Sequence, residues 1–331
     1  MSKKNVGLHI LELELTNKCN LNCKHCYVDK KHTSELPCET VKDIISQAKE
    51  LDVYRLVFTG GEPLIYSKIF NVATYAKKLG IKNLFLLTNG ILVNKKNINK
   101  LKIFDGIQLS LDNIPNQKSS LRKDYSNVLE NAVSLLQQNN ININFYCTLC
   151  KSNTDKIDQI IKYANNLNVR IGFNTLIPLY PSLENQTLSP QETKESLTKI
   201  INYINKGFNV NLSHHLRFLV DKQKKADYES LIKENPNKIH GGCLAGIAAL
   251  YISSDGSVLA CPFIKYPCDN IFKNNLYNIW ENNEILNVLR NRKNFEGKCG
   301  KCKYVNVCGG CRAHSLLKYG KINSSEFGCF L

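Results

Sequence analysis

The sequence predicts an α/β protein: a parallel sheet with helices outside it, closed or part-closed into a barrel, followed by a cysteine-rich C-terminal module. Three observations carry this. Strand-like and helix-like stretches alternate through the first half of the 331 residues. The glycine and polar motifs of that half fall where the strands end, which is where ligands of such sheets gather. After Gly241-Gly242-Cys243 the texture changes to short strands, turns and clustered cysteines.

The elements follow in order. Residues 7–15 alternate in part between apolar and polar, as a strand does. A cysteine loop follows, and Thr40–Leu51 reads as a helix. Val53–Thr59 is a short apolar strand that ends in Gly60-Gly61. Ile65–Leu79 is helical with a glycine stop at Gly80. Leu84–Leu87 is a strand ending at Thr88-Asn89-Gly90, and Ile107–Leu111 is another. Ser126–Gln138 is a helix, Ile141–Leu149 a strand, Thr154–Leu167 a helix and Val169–Phe173 a strand. This alternation is the mark of a parallel sheet. Residues 178–190 read as a loop and Pro190–Lys206 as a helix that bridges two domains. Tyr251–Leu259 reads as a hairpin around Asp255-Gly256. Leu276–Arg290 is helical. The expected division is a barrel over 1–180, a bridging helical region over 181–234 and the cysteine-rich domain over 235–331.

Composition narrows the class. Hydrophobic residues make up 43%, which suits a soluble core. No apolar run reaches the roughly 18 residues that span a bilayer, and Met1–Val6 has no apolar signal segment. The expected compartment is the cytoplasm, with no membrane partner. The net charge is 44 − 28 = +16. The lysines are scattered through a chain rich in Lys, Asn and Ile, so nucleic acid is not the expected partner. The 14 cysteines are unevenly placed: three lie within residues 19–26, and seven more, Cys268 aside, lie between Cys243 and Cys329. In a cytosolic chain such clustering points to metal rather than disulfides.

The chemistry starts at Cys19, Cys23 and Cys26, spaced C-x3-C-x2-C. Three thiolates so close hold three irons of a 4Fe–4S cluster and leave the fourth iron without a protein ligand. The bland alternative is zinc, with His25 as a fourth ligand. The stretch resembles the signature of the radical S-adenosylmethionine (SAM) superfamily. That resemblance implies a partial (β/α)6 barrel in which SAM binds the open iron. Reductive cleavage of SAM then gives a 5′-deoxyadenosyl radical that takes a hydrogen atom from substrate, the cofactor supplying the hard chemistry.

Further segments match the same family. Gly60-Gly61-Glu62-Pro63, with Glu62 36 residues after Cys26, resembles its glycine-glycine-glutamate-proline motif, which implies contact with the SAM amino group. Ser110-Leu111-Asp112 resembles its ribose- and carboxylate-contacting strand end. Thr88, Asn89 and Asn153 fit as further SAM contacts, or as a helix cap and a turn. Tyr27 matches an aromatic near the adenine, or is a packing residue.

The C-terminal cysteines resemble the SPASM domain, an extension of one branch of the superfamily. The likeness lies in Cys243, Gly256 and Cys261, then Cys299-x2-Cys302-x5-Cys308-x2-Cys311, then Cys329. The usual pattern has three residues where Gly309-Gly310 stand. The likeness implies two auxiliary 4Fe–4S clusters, the outer on Cys299, Cys302, Cys308 and Cys329, the inner on Cys243, Cys261 and Cys311. Cys268 is a candidate fourth ligand, an inert thiol being the alternative; an iron left open for substrate is the sharper one. Zinc is the alternative for the C-x2-C pair. Cys38, Cys147 and Cys150 read as packing residues, with a hydrogen-donor role for Cys147 or Cys150 as the rival. His214-His215 reads as a surface pair, with a place in the substrate pocket as the rival.

The resemblance implies a SAM-dependent radical enzyme, with catalytic residues beyond the cofactor sites unassigned. The favoured substrate is a ribosomally made peptide or a protein side chain, with a small molecule as the other class. The catalytic loop begins at residue 16, so a separate leader-peptide-binding protein is the expected partner for a peptide substrate. The reductant would be a flavodoxin or ferredoxin. Residues 297–313 also resemble the tails of SPASM proteins in heme and heme d1 synthesis, so tetrapyrrole side-chain chemistry is the alternative function.

Overall fold

Period-two alternation sorts the strand residues between two faces. In the first strand Leu11 and Leu13 are fully buried against the helices, while Glu12 between them faces the other way. The computed structural model, which describes residues 7–114, 121–122 and 126–331, carries this pattern through seven strands: β1 (Ile10–Glu14), β2 (Arg55–Thr59), β3 (Asn83–Thr88), β4 (Gly106–Ser110), β5 (Ile143–Leu149), β6 (Arg170–Thr175) and β7 (Val210–Leu212). They are parallel and pair in chain order.

The intervening helices bury apolar stripes at i, i+3, i+4 and i+7. Helix Cys38–Glu50 buries Val41, Ile44, Ile45 and Ala48, and helix Ile157–Asn166 buries Ile157, Ile160, Ile161 and Ala164. Each such valine or isoleucine contributes about 1.5–3 kcal/mol on full burial. Helix Pro190–Asn205 begins in a capping box, Ser189 bonding the Glu192 backbone and Glu192 bonding back.

Three elements depart from the expectation. The helix expected over 276–290 is two, Leu276–Asn282 and Glu284–Arg290. Asn283 breaks it because its side chain caps the second helix, accepting from the Ile285 and Leu286 amides. The helix expected from Ile65 begins at Ile69, because Pro63–Ile65 first forms a separate 3₁₀ turn. β7 lies in a stretch read without a strand.

The C-terminal hairpin is β8 (Ala249–Ile252) and β9 (Ser257–Leu259), followed by the two-residue β10 (Asp269–Asn270). β8 pairs in parallel with β1. The sheet order is therefore β10-β9-β8-β1-β2-β3-β4-β5-β6-β7, an open ten-stranded sheet with β1 in its interior. One sheet runs through residues of 1–180, 181–234 and 235–331. No helix among the described residues is long and apolar enough to cross a membrane.

Candidate functional site

The cysteine loop leaves the carboxyl end of β1 and is braced by the end of β2. Gly61 N–H donates to the Thr16 carbonyl at 2.7 Å, and Glu62 N–H to the Lys18 carbonyl at 2.8 Å. That approach requires glycine: a Cβ on Gly60 would lie 2.4 Å from the Thr16 oxygen, and one on Gly61 2.2 Å from the Lys18 oxygen. Asn17 closes the loop, accepting from Ser34 N–H and donating to the Asp29 carbonyl. Cys19, Cys23 and Cys26 are free and half-buried. Burial pushes the Cys19 and Cys23 thiols up, and Cys26 is among the neighbours that push both further. Three unpaired thiols gathered on one short loop fit the donor set of an iron–sulfur cluster, on which they would be held as thiolates. His25, the residue a four-ligand zinc site would need, instead turns its Nε2 to Asp112 (3.6 Å) and Arg122 (3.3 Å).

The residues at the other strand ends form two hydrogen-bonded knots beside this loop. In one, the fully buried Glu62 carboxylate accepts from Thr88 Oγ1 (2.7 Å), Asn89 N (3.0 Å) and Leu64 N (3.1 Å). Asn89 Nδ2 reaches Asn20 of the cysteine loop at 2.8 Å. Burial raises the Glu62 carboxyl, and these donors work against that. In the other knot, Asp112 accepts from Arg122 Nε at 2.7 Å and Thr148 N at 3.1 Å. Burial alone would raise Asp112, but the Arg122 and His25 charges and these donors outweigh it and hold the carboxyl below its ordinary range. Asn153 staples the ends of β4 and β5, donating to the carbonyls of Asp112 (3.0 Å) and Thr148 (2.9 Å). Ser110 lies half-buried at the end of β4.

Tyr27 packs edge-on against Tyr251 and Phe263, with centroids 6.0 and 5.3 Å away, and its hydroxyl lies 3.1 Å from Thr59 Oγ1. Lys265 donates to the Tyr27 carbonyl. The cysteine loop thus touches the C-terminal region as well as the barrel.

The later cysteines fall into two groups. After burial, the neighbours that push up the Cys308 thiol include Cys329 and Cys299, and those of Cys329 include Cys299 and Cys302. Cys261, pushed up to about 12 by burial, has Cys243 beside it, and Cys311 has Cys243 and Cys261. Burial pushes Cys268 up to about 11, and the charges that act on it are those of Asp269 and Arg290. Two sets of thiols, adjoining where Cys243 N–H donates to the Cys308 carbonyl at 3.1 Å, fit two clusters better than one shared zinc.

Comparison with known proteins agrees. Residues 13–164 match the radical SAM superfamily, and residues 243–312 match SPASM, an iron–sulfur cluster-binding domain. The chain belongs to the radical SAM superfamily, in its SPASM branch. It is similar to an AdoMet-dependent heme synthase of Methanosarcina barkeri, 27% identical over 97% of this chain and 95% of that protein. It is also similar to mycofactocin maturase MftC of Mycolicibacterium smegmatis, 25% identical over 92% of this chain and 78% of that protein. Among solved structures it shares its fold with Streptococcus suis SuiB bound to precursor peptide SuiA, with TM-score 0.81 and 19% identity over 99% of this chain and 76% of that one. As a radical SAM/SPASM enzyme it uses 4Fe–4S clusters and SAM.

Within this radical SAM frame, sequence reasoning passed over Glu12 and misplaced His214-His215. Glu12 faces away from the helices, in register with Val57 and Tyr251. Its carboxylate has no hydrogen-bond partner among the described residues, and burial pushes it up to about 7. It is also among the charges that push up Tyr27, Tyr146 and Tyr251. Its only sequence signal was its place, with Glu14, as one of two acids alternating with leucines. His214-His215 is not a surface pair. The two rings stack 4.5 Å apart and line a small cavity with Thr175, Thr193, His314 and Glu326. Burial lowers both, His215 to about 4. Cys147 and Cys150 are buried, and Cys147 is enclosed in the main apolar core.

Proposed function

We propose that Cys19, Cys23 and Cys26 hold the catalytic cluster, and that Gly60-Gly61, Tyr27, Thr88, Ser110 and the loops fixed by Glu62, Asn89, Asp112 and Asn153 form the SAM site. The gathering of three free thiols on a loop braced by the two glycines carries this reading. Cys299, Cys302, Cys308 and Cys329 hold an outer auxiliary cluster, and Cys243, Cys261 and Cys311 an inner one with no fourth cysteine. With cluster and SAM bound, the site supplies one-electron cleavage of the SAM C–S bond and removal of a hydrogen atom from substrate. The protein's part is positional. Glu62 fixes the turn after β2 against β3, Asp112 and Arg122 hold His25 and so the cysteine loop, and Lys265 and Tyr27 seal the loop against the C-terminal region. The electron would come from a ferredoxin or flavodoxin.

For the substrate, the likeness to a heme synthase over nearly the full length of both chains supports tetrapyrrole side-chain chemistry. The likeness to a mycofactocin maturase, together with the SuiB fold, supports a second reading, modification of a ribosomally made peptide with a separate leader-binding protein. The test is anaerobic reconstitution, iron counting, and an assay of 5′-deoxyadenosine with and without an iron tetrapyrrole bearing carboxylate side chains. Three clusters correspond to about twelve irons per chain. A stimulated, product-forming turnover supports the first reading. Turnover no faster than without the tetrapyrrole sinks it, and about four irons sinks the auxiliary assignment.

A further inference from the structure

Two arginines are buried where the auxiliary cysteine groups meet. Arg292 is 3% exposed and Arg312 2%. Buried guanidiniums stay charged and ordinarily sit against carboxylates, as even the half-buried Arg122 does with Asp112 and Arg217 with Asp221. Neither Arg292 nor Arg312 forms an ion pair with a carboxylate among the described residues. Their hydrogen-bond partners are carbonyls and sulfur, and the Arg312 guanidinium also lies over the Phe295 ring, 4.5 Å from its centroid. Arg292 donates to the Val305 and Cys243 carbonyls at 2.9 and 3.3 Å, and its buried Nε has no hydrogen-bond partner among the described residues. Arg312 donates to the Ile322 and Ser324 carbonyls at 3.1 and 2.8 Å, and its Nη2 lies 3.7 Å from Cys299 Sγ.

The Gly309-Gly310 pair makes room for them. Both glycines are left-handed, with φ of 68° and 62°. A Cβ on Gly309 would lie 2.6 Å from Arg292 Cζ, and one on Gly310 2.3 Å from Arg312 Nη2. Each glycine therefore seats one guanidinium between Cys308, of the outer group, and Cys311, of the inner. Arg292 thus touches the backbone of Cys243, of the inner group, and of Gly309, next to Cys308 of the outer.

We propose that Arg292 and Arg312 are the fixed countercharges of the auxiliary clusters, Arg292 serving both and Arg312 chiefly the outer. This rests on the cluster assignment above. The potential of an iron–sulfur cluster depends on net charge and on hydrogen bonds to its sulfurs. A buried cation favours the reduced, more negative state, so these arginines raise the auxiliary potentials. They make the clusters better electron acceptors and are positioning residues rather than catalytic ones.

The test is potentiometry followed by electron paramagnetic resonance on full-length reconstituted protein. Signals that survive Cys19→Ala/Cys23→Ala/Cys26→Ala identify the auxiliary clusters. Arg312→Gln is expected to make reduction of the outer cluster roughly tenfold less favourable, ~59 mV lower for a one-electron couple. Arg292→Gln should lower both couples, and Arg292→Lys and Arg312→Lys should restore most of the shift. Glutamine variants that keep their iron with unchanged potentials overturn the proposal. If a glutamine variant loses iron, the lysine variant decides. Iron retained with lysine supports a charge role; iron lost with lysine as well shows that packing, not charge, is what the site needs. A wild-type count of about four irons would instead remove the clusters themselves, a failure distinct from unchanged potentials at about twelve.

Discussion

Glu14 at the end of β1 accepts a hydrogen bond from the hydroxyl of Tyr251 in β8, across a sequence separation of 237 residues. The same carboxylate accepts from Ser254 N (3.1 Å) and Ser254 Oγ (2.5 Å). One buried acid thus ties the C-terminal hairpin to the strand that launches the cysteine loop. Tyr251→Phe removes one donor to a buried charge, and hydrogen bonds to charged groups contribute about 1.5–3 kcal/mol. Faster amide exchange over 249–259 with the rest of the sheet unchanged is the expected result; uniform exchange would contradict it.

Gly61→Ala would place a methyl 2.2 Å from the Lys18 carbonyl oxygen. The loop root must move, so the catalytic cluster should be lost while the auxiliary ones remain. The expected iron content falls from about twelve to about eight per chain, and 5′-deoxyadenosine formation disappears. A variant with full iron and full SAM cleavage would show that the close approach is not needed.

Asp112 is nearly completely buried and paired with Arg122. Removing one partner of such a pair typically costs 3–5 kcal/mol (about the upper range for single substitutions). Asp112→Asn should lower the thermal midpoint of anaerobic protein at neutral pH. Because the folded carboxyl titrates below its unfolded value, its contribution is present above about pH 4 and is lost as the pH falls further. Wild type and variant should therefore converge in acid, and a gap that widens there would count against the pairing.

Glu12 should behave in the opposite sense. Burial pushes its carboxyl from the ordinary 4.5 up to about 7, so the folded state holds a proton that the unfolded state releases. Stability then falls as the pH rises between these values, by up to about 3 kcal/mol at 1.36 kcal/mol per unit. Glu12→Gln should flatten that slope. Thermal midpoints from pH 5 to pH 8 would show it, and an unchanged slope would refute the assignment.

The strands and helices of the barrel half were legible because a two-sided environment writes its period into each segment, as at Leu11, Glu12 and Leu13. The cysteine and glycine motifs were legible because their chemistry tolerates few residue types. What stayed hidden depended on partners distant in the chain. β8 reads as half of a hairpin, and nothing within it names β1 as its second neighbour. β7 is only three residues long, too short for a period to show. Asp112 read as a cofactor contact, and its engagement with Arg122 and His25 appears only once the loops are folded together. His214-His215 looked exposed because adjacent polar residues usually are, whereas both close against Glu326 and His314.

The interior position of β1 has a consequence for engineering. With β2 on one side and β8 on the other, β1 has no free edge. Cutting the chain near residue 235 would not release a self-sufficient barrel. It would strip one flank of the strand that delivers the catalytic cysteines and bare a row of unpaired amides and carbonyls, the kind of edge that recruits other chains into aggregates. Chimeras that exchange the cysteine-rich module between relatives would therefore need to carry the matching β1 with it, since donor and acceptor share a seam rather than a linker.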